Sequence, residues 1–168
     1  MSRNRLRDIM ENLRFGLKPT MTQRLETDKF AMVSDICNKF IDNCATSYKL
    51  GENLVVDERL FPSKARCKFI QYMPNKPDKF GIKFWMLVDV DSKFMCNAFP
   101  YLGKDKSRSE TENVVIRFLN PHLNTGRNVT ADNYFSSLSL AKRLKLKNIS
   151  FVGTVGRHRK EIPNEVRK

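Results

Sequence analysis

The sequence has little that would favour a zinc-binding, secreted or membrane protein. Its four cysteines form no CxxC pair, and its two histidines lie far from any of them along the chain. A structural zinc site needs four clustered nitrogen or sulfur ligands, and this spacing does not supply them. No signal-peptide pattern, no run of twenty apolar residues and no repeat or low-complexity segment occurs. We therefore expect an intracellular protein without a membrane-spanning segment.

What the sequence has in excess is positive charge. Lys and Arg number 31 against 18 Asp and Glu in 168 residues, which gives a formal net charge of +13 and a pI near 9.8. A basic surface attracts phosphates at long range, so nucleic acid is favoured over membrane as the partner. A generally basic surface without a ligand is the alternative. The apolar content of 40% is enough for the core of one ordinary domain.

The spacing of apolar residues predicts helices first, then strands, then alternating helices and strands. A short N-terminal helix is expected to end at Gly16 and Pro19, and an amphipathic helix to run from Thr27 to about Ser47. A capping box at Ser109 starts the first helix of the alternating part. A two-residue hairpin is predicted between the third and fourth strands. The predicted strands are 53–61, 67–72, 81–90, 93–99, 128–131 and 149–155.

This order of elements predicts one α/β domain behind a helical segment. Three meandering strands extended by right-handed crossover units give a mixed sheet. One fold with this order is the ribonuclease H-like mixed sheet. Its first strand is central, and the fourth strand of that fold, here 128–131, pairs beside it in parallel. We therefore expect a helical lead-in at 1–50 and a ribonuclease H-like domain at 51–168.

Two aspartates would become neighbours in that sheet. Asp57 lies within the first strand, and Asp132 follows the strand at 128–131. Adjacent carboxylates repel each other unless a cation compensates them, and hard oxygen ligands select Mg²⁺ or Mn²⁺. Two other interpretations stay open. An aspartate that ends a strand is more often a turn or cap residue, and Asp57 could form a buried ion pair with Arg59 or Lys64.

Six segments, taken in order, resemble one family over nearly the whole chain. They are MSRNRLRDIMENLRF, TDKFAMVSDICNKFIDNC, LVVDERLFPSKARCKFIQYMPNKPDKFGIKFWMLVD, MCNAFPYLGK, NVTADNYFSSLSLAKRL and FVGTVGRHRKEIP. Their order and spacing are similar to those of the piggyBac-type transposases, which are DDE enzymes of DNA transposons. MPNKPDKFGIK and TADNYFSS are too long for agreement by chance.

The resemblance implies a function as well as a fold. It implies metal-dependent DNA strand cleavage and transfer in DNA transposition, on a ribonuclease H-like fold with Mg²⁺ or Mn²⁺ as cofactor. It makes Asp57 the first catalytic aspartate and Asp132 the second, both as metal ligands. It also implies transposon-end DNA as the partner, a homodimer and a location in the nucleus.

The resemblance also implies that this chain corresponds to the middle of such a transposase. The family has a third catalytic aspartate well downstream of the GTVxxxxxEIP segment and a C-terminal cysteine-rich zinc module, whereas this sequence ends at Lys168. We therefore expect an incomplete ribonuclease H-like fold with catalysis nearly absent. A non-catalytic DNA-binding relic of a transposase is the alternative, and a fragment without function or stable fold is a third hypothesis.

Basic residues in two places are the candidate phosphate contacts. Solvated faces are the alternative for both. The tail is expected to contribute more, because no apolar stripe ties it down, whereas the helix must bury Leu140 and Leu144. The candidates are Lys142, Arg143 and Lys145 in the helix and Arg157, Arg159 and Lys160 in the tail.

The residues around Asp132 have further predicted roles. Tyr134 and Phe135 are expected to pack the turn between strand and helix, with stacking on a base as the alternative. Asn133 is a candidate for orienting the Asp132 carboxylate.

Overall fold

The computed structural model describes residues 1–103, 110–157 and 159–163. The chain divides into two compact units, Met1–Asn43 and Cys44–Lys168. The first unit is helical. Its helices are α1 (Arg3–Asn12), α2 (Lys18–Thr27) and the larger part of α3 (Ser34–Ser47).

The helical unit differs from the prediction in two places. Pro19 is predicted to end a helix but lies in the first turn of α2, where the backbone N–H groups have no partner within the helix and a proline costs no hydrogen bond. The third helix begins at Ser34 and not at Thr27. Asp28 Oδ1 accepts a hydrogen bond from Phe30 N at 2.8 Å. This side-chain bond stabilises a turn in place of the first helical turn, so the helix begins further along the chain.

The second unit contains one mixed sheet, six-stranded in the part of the chain that the structure describes. Its strands are β1 (Asn53–Pro62), β2 (Ile70–Tyr72), β3 (Phe80–Asp89), β4 (Met95–Pro100), β5 (Asn128–Ala131) and β6 (Ser150–Gly153). The order is β2-β3-β1-β5-β6, and β4 also pairs with β3. Strand β1 is antiparallel to β3 and parallel to β5, and β5 is parallel to β6. The first strand is therefore interior, as predicted.

Two α-helices and a short 3-10 helix accompany the sheet. They are α4 (Glu110–Leu119), a 3-10 helix at Asn120–His122 and α5 (Leu138–Lys145). The capping box predicted for α4 depends on Ser109, which lies outside the described residues. None of the helices in the described ranges is long and apolar enough to cross a membrane.

The core includes buried side chains from β1, β5 and both helices. Leu54 and Val56 are fully buried while Val55 between them is half-buried, as the two-residue period of a strand requires. The core residues of the two helices recur at three- and four-residue steps. These are Val114, Val115, Phe118 and Leu119 in α4 and Leu140 and Leu144 in α5.

The connection from β3 to β4 is wider than the predicted two-residue hairpin, because Asp89 organises it. The Asp89 carboxylate is buried and accepts hydrogen bonds from the backbone N–H groups of Gly51 (2.8 Å), Asp91 (3.1 Å) and Ser92 (2.9 Å) and from the Ser92 hydroxyl (2.8 Å). The Ser92 N–H, followed by the Gly51 N–H, lowers the pKa of Asp89 from 3.8 to about 2. Asp89 thus joins this connection to Gly51, which lies two residues before β1.

We expect Asp89→Asn to lower the melting temperature at neutral pH, because the amide group would face N–H donors that now meet a carboxylate. The pKa of Asp89 is lower in the folded chain, so its contribution to stability is complete above pH 3.8 and is lost as the pH falls towards 2. The difference in melting temperature between parent and variant should therefore become smaller as the pH falls from 3.8 to about 2. Circular dichroism melts measure it, with Asp91→Asn, at an exposed position, as the control. A gap that is constant with pH would contradict this role.

Candidate metal and nucleic-acid site

The register of two parallel strands places Asp57 and Asp132 side by side. The pairing of β1 with β5 ends at Val56 opposite Ala131, and an aspartate follows each of these residues. Val56 and Ala131 are buried in the core, so strand alternation puts both aspartates on the other face of the sheet. Both aspartates are exposed. Each carboxylate therefore comes directly after the last paired residue of two neighbouring parallel strands, with Asp57 in the middle of β1 and Asp132 just past the end of β5.

The turn after β5 holds the Asp132 carboxylate and its backbone. Asp132 Oδ1 accepts hydrogen bonds from Tyr134 N at 3.0 Å and Phe135 N at 3.4 Å. The buried Ser136 hydroxyl donates to the Asp132 carbonyl oxygen at 2.7 Å. Asp132 therefore does serve a turn, as the alternative interpretation holds, and the same hydrogen bonds orient its carboxylate.

Asp57 is exposed, so a buried ion pair with Arg59 or Lys64 is wrong. Within the described part of the chain, no ion pair joins it to either residue. Its Oδ1 accepts a hydrogen bond from Glu58 N at 2.7 Å. Glu58 itself pairs with Lys76, with 3.5 Å between Oε1 and Nζ. At this point of β1 the ion pair is therefore formed by Glu58 and not by Asp57.

The tail after β6 is held against the Asp132 turn by polar contacts. Asn133 Oδ1 accepts a hydrogen bond from Gly156 N at 2.9 Å, and the Asn133 carbonyl accepts one from Arg159 Nη2 at 2.7 Å. Glu161 Oε2 accepts one from Leu138 N, at the start of α5, at 2.9 Å. The prediction takes account only of an apolar stripe, which the tail lacks, and these hydrogen bonds hold the tail instead. The Asn133 side-chain oxygen faces the tail.

These contacts form an open groove beside Asp132. Its volume is about 610 Å³. Arg157 is exposed and Arg159 is half-buried. The groove therefore combines a carboxylate, two guanidinium groups and an aromatic ring. Its lining residues are Asp132, Asn133, Tyr134, Gly156, Arg157 and Arg159.

The other predicted phosphate contacts differ in their surroundings. Lys142 and Lys145 are exposed on α5, and Lys160 is exposed in the tail. Arg143 Nη1 forms an ion pair with Glu112 Oε2 at 3.2 Å. Basic groups in the last turn of a helix also interact favourably with its negative end, so part of the role of the α5 residues is structural.

Asp57 and Asp132 are the two candidate metal ligands at this site. No group of three or more His, Cys, Asp or Glu residues in the described ranges is arranged to hold a metal ion. Carboxylate oxygens are ligands that Mg²⁺ and Mn²⁺ accept.

The architecture is that of a ribonuclease H-like α/β domain, with an interior first strand that pairs antiparallel on one side and parallel on the other. The family model described as Transposase IS4 matches residues 1–168, and the chain belongs to this family of transposases.

Known relatives agree with this assignment. The human PiggyBac transposable element-derived protein 3 is 25% identical over 174 residues, which cover 98% of this chain and 29% of that protein. The human Chimeric ERCC6-PGBD3 protein is also 25% identical over 174 residues, which cover 98% of this chain and 16% of that protein. The chain thus spans less than a third of either curated relative.

A solved structure carries the same fold. The cryo-EM structure of a piggyBac transposase synaptic complex with hairpin DNA matches with a TM-score of 0.92 and 36% identity over 100% of this chain and 36% of that chain. The resemblance to piggyBac-type transposases and the ribonuclease H-like fold are both confirmed. Divalent-metal dependence is general in this family of DDE transposases.

Proposed function

We propose that this chain is the part of a piggyBac-type transposase that holds a divalent cation, Mg²⁺ or Mn²⁺, between Asp57 and Asp132 and binds transposon-end DNA beside it. The register of β1 and β5, which ends one residue before each aspartate, carries the proposal. The reaction served is metal-dependent DNA strand cleavage and transfer. Residues 1–50 are the helical lead-in and 51–168 belong to the catalytic domain. A homodimer and a nuclear location are part of the same proposal and rest on the family likeness.

The donor set suits a hard cation. Asp57 and Asp132 are exposed, so binding a cation does not require a buried charge to form. The Tyr134 and Phe135 N–H groups orient Asp132 before any metal arrives. A bound cation would stabilise the negative charge that develops on the phosphate oxygens. The role of the two carboxylates is to bind it and to fix its place on the sheet.

The two arginines of the groove supply the contact with the DNA backbone. Arg157 and Arg159 line the same groove as Asp132, and guanidinium groups bind phosphate oxygens through paired N–H donors. A backbone held there lies beside the candidate metal ligand. Lys160 and the α5 residues Lys142, Arg143 and Lys145 extend the positive surface available to DNA.

The second candidate function is DNA binding without catalysis. Exposed basic residues in α5 and in the tail favour it, because charge-driven binding to phosphates needs neither aspartate. In that case the chain would keep the surface of a transposase without its chemistry.

Mn²⁺ titrations followed by electron paramagnetic resonance test the metal site. We expect the parent chain to bind Mn²⁺ in competition with Mg²⁺, and Asp57→Asn or Asp132→Asn each to weaken binding by about tenfold or more, since each change removes one of the two charged ligands. Asp91→Asn removes an exposed carboxylate from a hairpin and should leave binding unchanged. Equal Mn²⁺ binding by parent and both site variants would refute the proposed metal site.

A cleavage assay separates the two candidate functions. Metal-dependent cleavage of a transposon-end duplex that disappears in Asp57→Asn would support the enzymatic function. Tight DNA binding with neither Mn²⁺ binding nor metal-dependent cleavage would favour the second candidate.

A further inference from the structure

The groove beside Asp132 is also lined by the aromatic ring of Tyr134, which takes no part in the proposed metal and phosphate contacts. We propose that Tyr134 stacks on one unpaired DNA base, so that the groove takes a flipped-out nucleotide whose phosphate lies on Arg157 and Arg159. This inference rests on the proposed function and specifies its substrate as a DNA strand with an unpaired nucleotide next to the metal site.

The Tyr134 ring is both accessible and held in place. The residue is 43% exposed, although its neighbour Phe135 is buried. The two rings are perpendicular, at 89° with 5.2 Å between centroids. Lys83 Nζ lies 4.9 Å from the centroid of the Tyr134 ring. Phe135 therefore packs the turn, while Tyr134 presents a supported ring to the groove that it lines.

Lys83, which contacts the Tyr134 ring, is held by two further aromatic rings. Lys83 Nζ lies 4.8 Å from the centroid of Tyr101 and 5.4 Å from that of Trp85, which is buried. Three aromatic rings thus surround one ammonium group. A preorganised ring loses little conformational freedom when a ligand stacks on it, which favours binding.

The chemistry of the groove suits a nucleotide. The ring can stack on a base, the two guanidinium groups can bind its phosphate, and Asp132 is the metal ligand beside that phosphate. The volume of about 610 Å³ lies within the range of small-ligand sites, roughly 300–1,000 Å³. A base inside a duplex is covered by its neighbours, so only an unpaired base could reach the ring.

Duplexes that contain 2-aminopurine, either fully paired or opposite an abasic position, test this proposal. We expect the full chain to quench the unpaired fluorophore and to prefer that duplex by about fivefold or more, the lower end of the stacking effect of one base on an aromatic side chain. Tyr134→Ala should remove the preference and the quenching, whereas Tyr134→Phe should keep both. Tyr72→Ala is the matched control, because Tyr72 is 57% exposed on β2.

Two results would overturn the proposal, and they are distinguishable. If the parent binds both duplexes equally, or Tyr134→Ala quenches the fluorophore as the parent does, the stacking site is wrong while DNA binding stands. If the parent binds neither duplex, the proposed function fails with it.

Discussion

Replacing Arg157, Arg159 and Lys160 together by alanine is expected to weaken binding to duplex DNA by more than tenfold and to flatten its salt dependence. Each phosphate that a basic side chain neutralises releases counterions, so each lost contact reduces the slope of log affinity against log salt by about 0.9. Three lost contacts reduce it by about 2.7. Fluorescence anisotropy with a labelled duplex between about 50 and about 200 mM salt measures both quantities.

The structure supplies a control for this experiment. Lys142, Lys145 and Lys147 are exposed. Their replacement by alanine also removes three positive charges, but from α5 and the residues after it and not from the tail. We expect a smaller effect there, and no loss of affinity for Asp57→Ala. Equal losses in the two triple variants would show that net charge and not the tail determines binding. Arg159 also donates to the Asn133 carbonyl, so Arg157→Ala alone separates phosphate binding from the position of the tail.

The second large effect is expected for Gly153→Ala, which should destabilise the chain and weaken the metal site together. A Cβ at Gly153 would lie well inside van der Waals distance of Ser136 Oγ and 3.0 Å from Ser136 Cβ. Ser136 is fully buried, and overpacking of this kind costs about 1–3 kcal/mol. Its hydroxyl donates to the Asp132 carbonyl, so moving it disturbs the turn that orients the Asp132 carboxylate.

Urea unfolding and the Mn²⁺ titration measure the two consequences. Gly156→Ala is the control, because the nearest atom to its added Cβ is Asn133 Oδ1 at 3.1 Å and the position is less crowded. We expect a smaller loss of stability there. A Gly153→Ala chain as stable as the parent would mean that Ser136 moves without cost.

Most of the fold is visible in local sequence patterns. The alternation around Val56 predicts β1, and the spacing of Val115 and Phe118 predicts α4, because burial on one side leaves a period in the sequence. Helix α2 is missed, because Pro19 is interpreted as a helix breaker although the first turn of a helix accepts it. The width of the β3–β4 connection is also missed, since Gly51 reaches Asp89 only in the folded chain.

The site was less visible than the fold. Asp57 stands out because a carboxylate is rare within a strand, whereas Asp132 could equally be an ordinary turn residue. The family resemblance adds the roles of both, which stay predictions. The contacts of Asn133 with the tail could not be predicted, because they join side chain and backbone atoms of distant segments and leave no period. The groove at Tyr134 likewise exists only once β5 and β6 are paired.

The interior position of β1 also orders the assembly of the chain. Its pairing with β3 joins segments that are close in sequence, whereas its pairing with β5 must close a loop that contains the meander and α4, and long loops cost more entropy to close. The meander is therefore expected to form early, with β5, α5 and β6 docking onto it later. Asp57 lies in β1, the strand that pairs with the early meander on one side and with the later β5 on the other. On this order the two carboxylates would come together only when β5 docks, so partly folded chains would expose Asp57 without its partner and have no competent metal site.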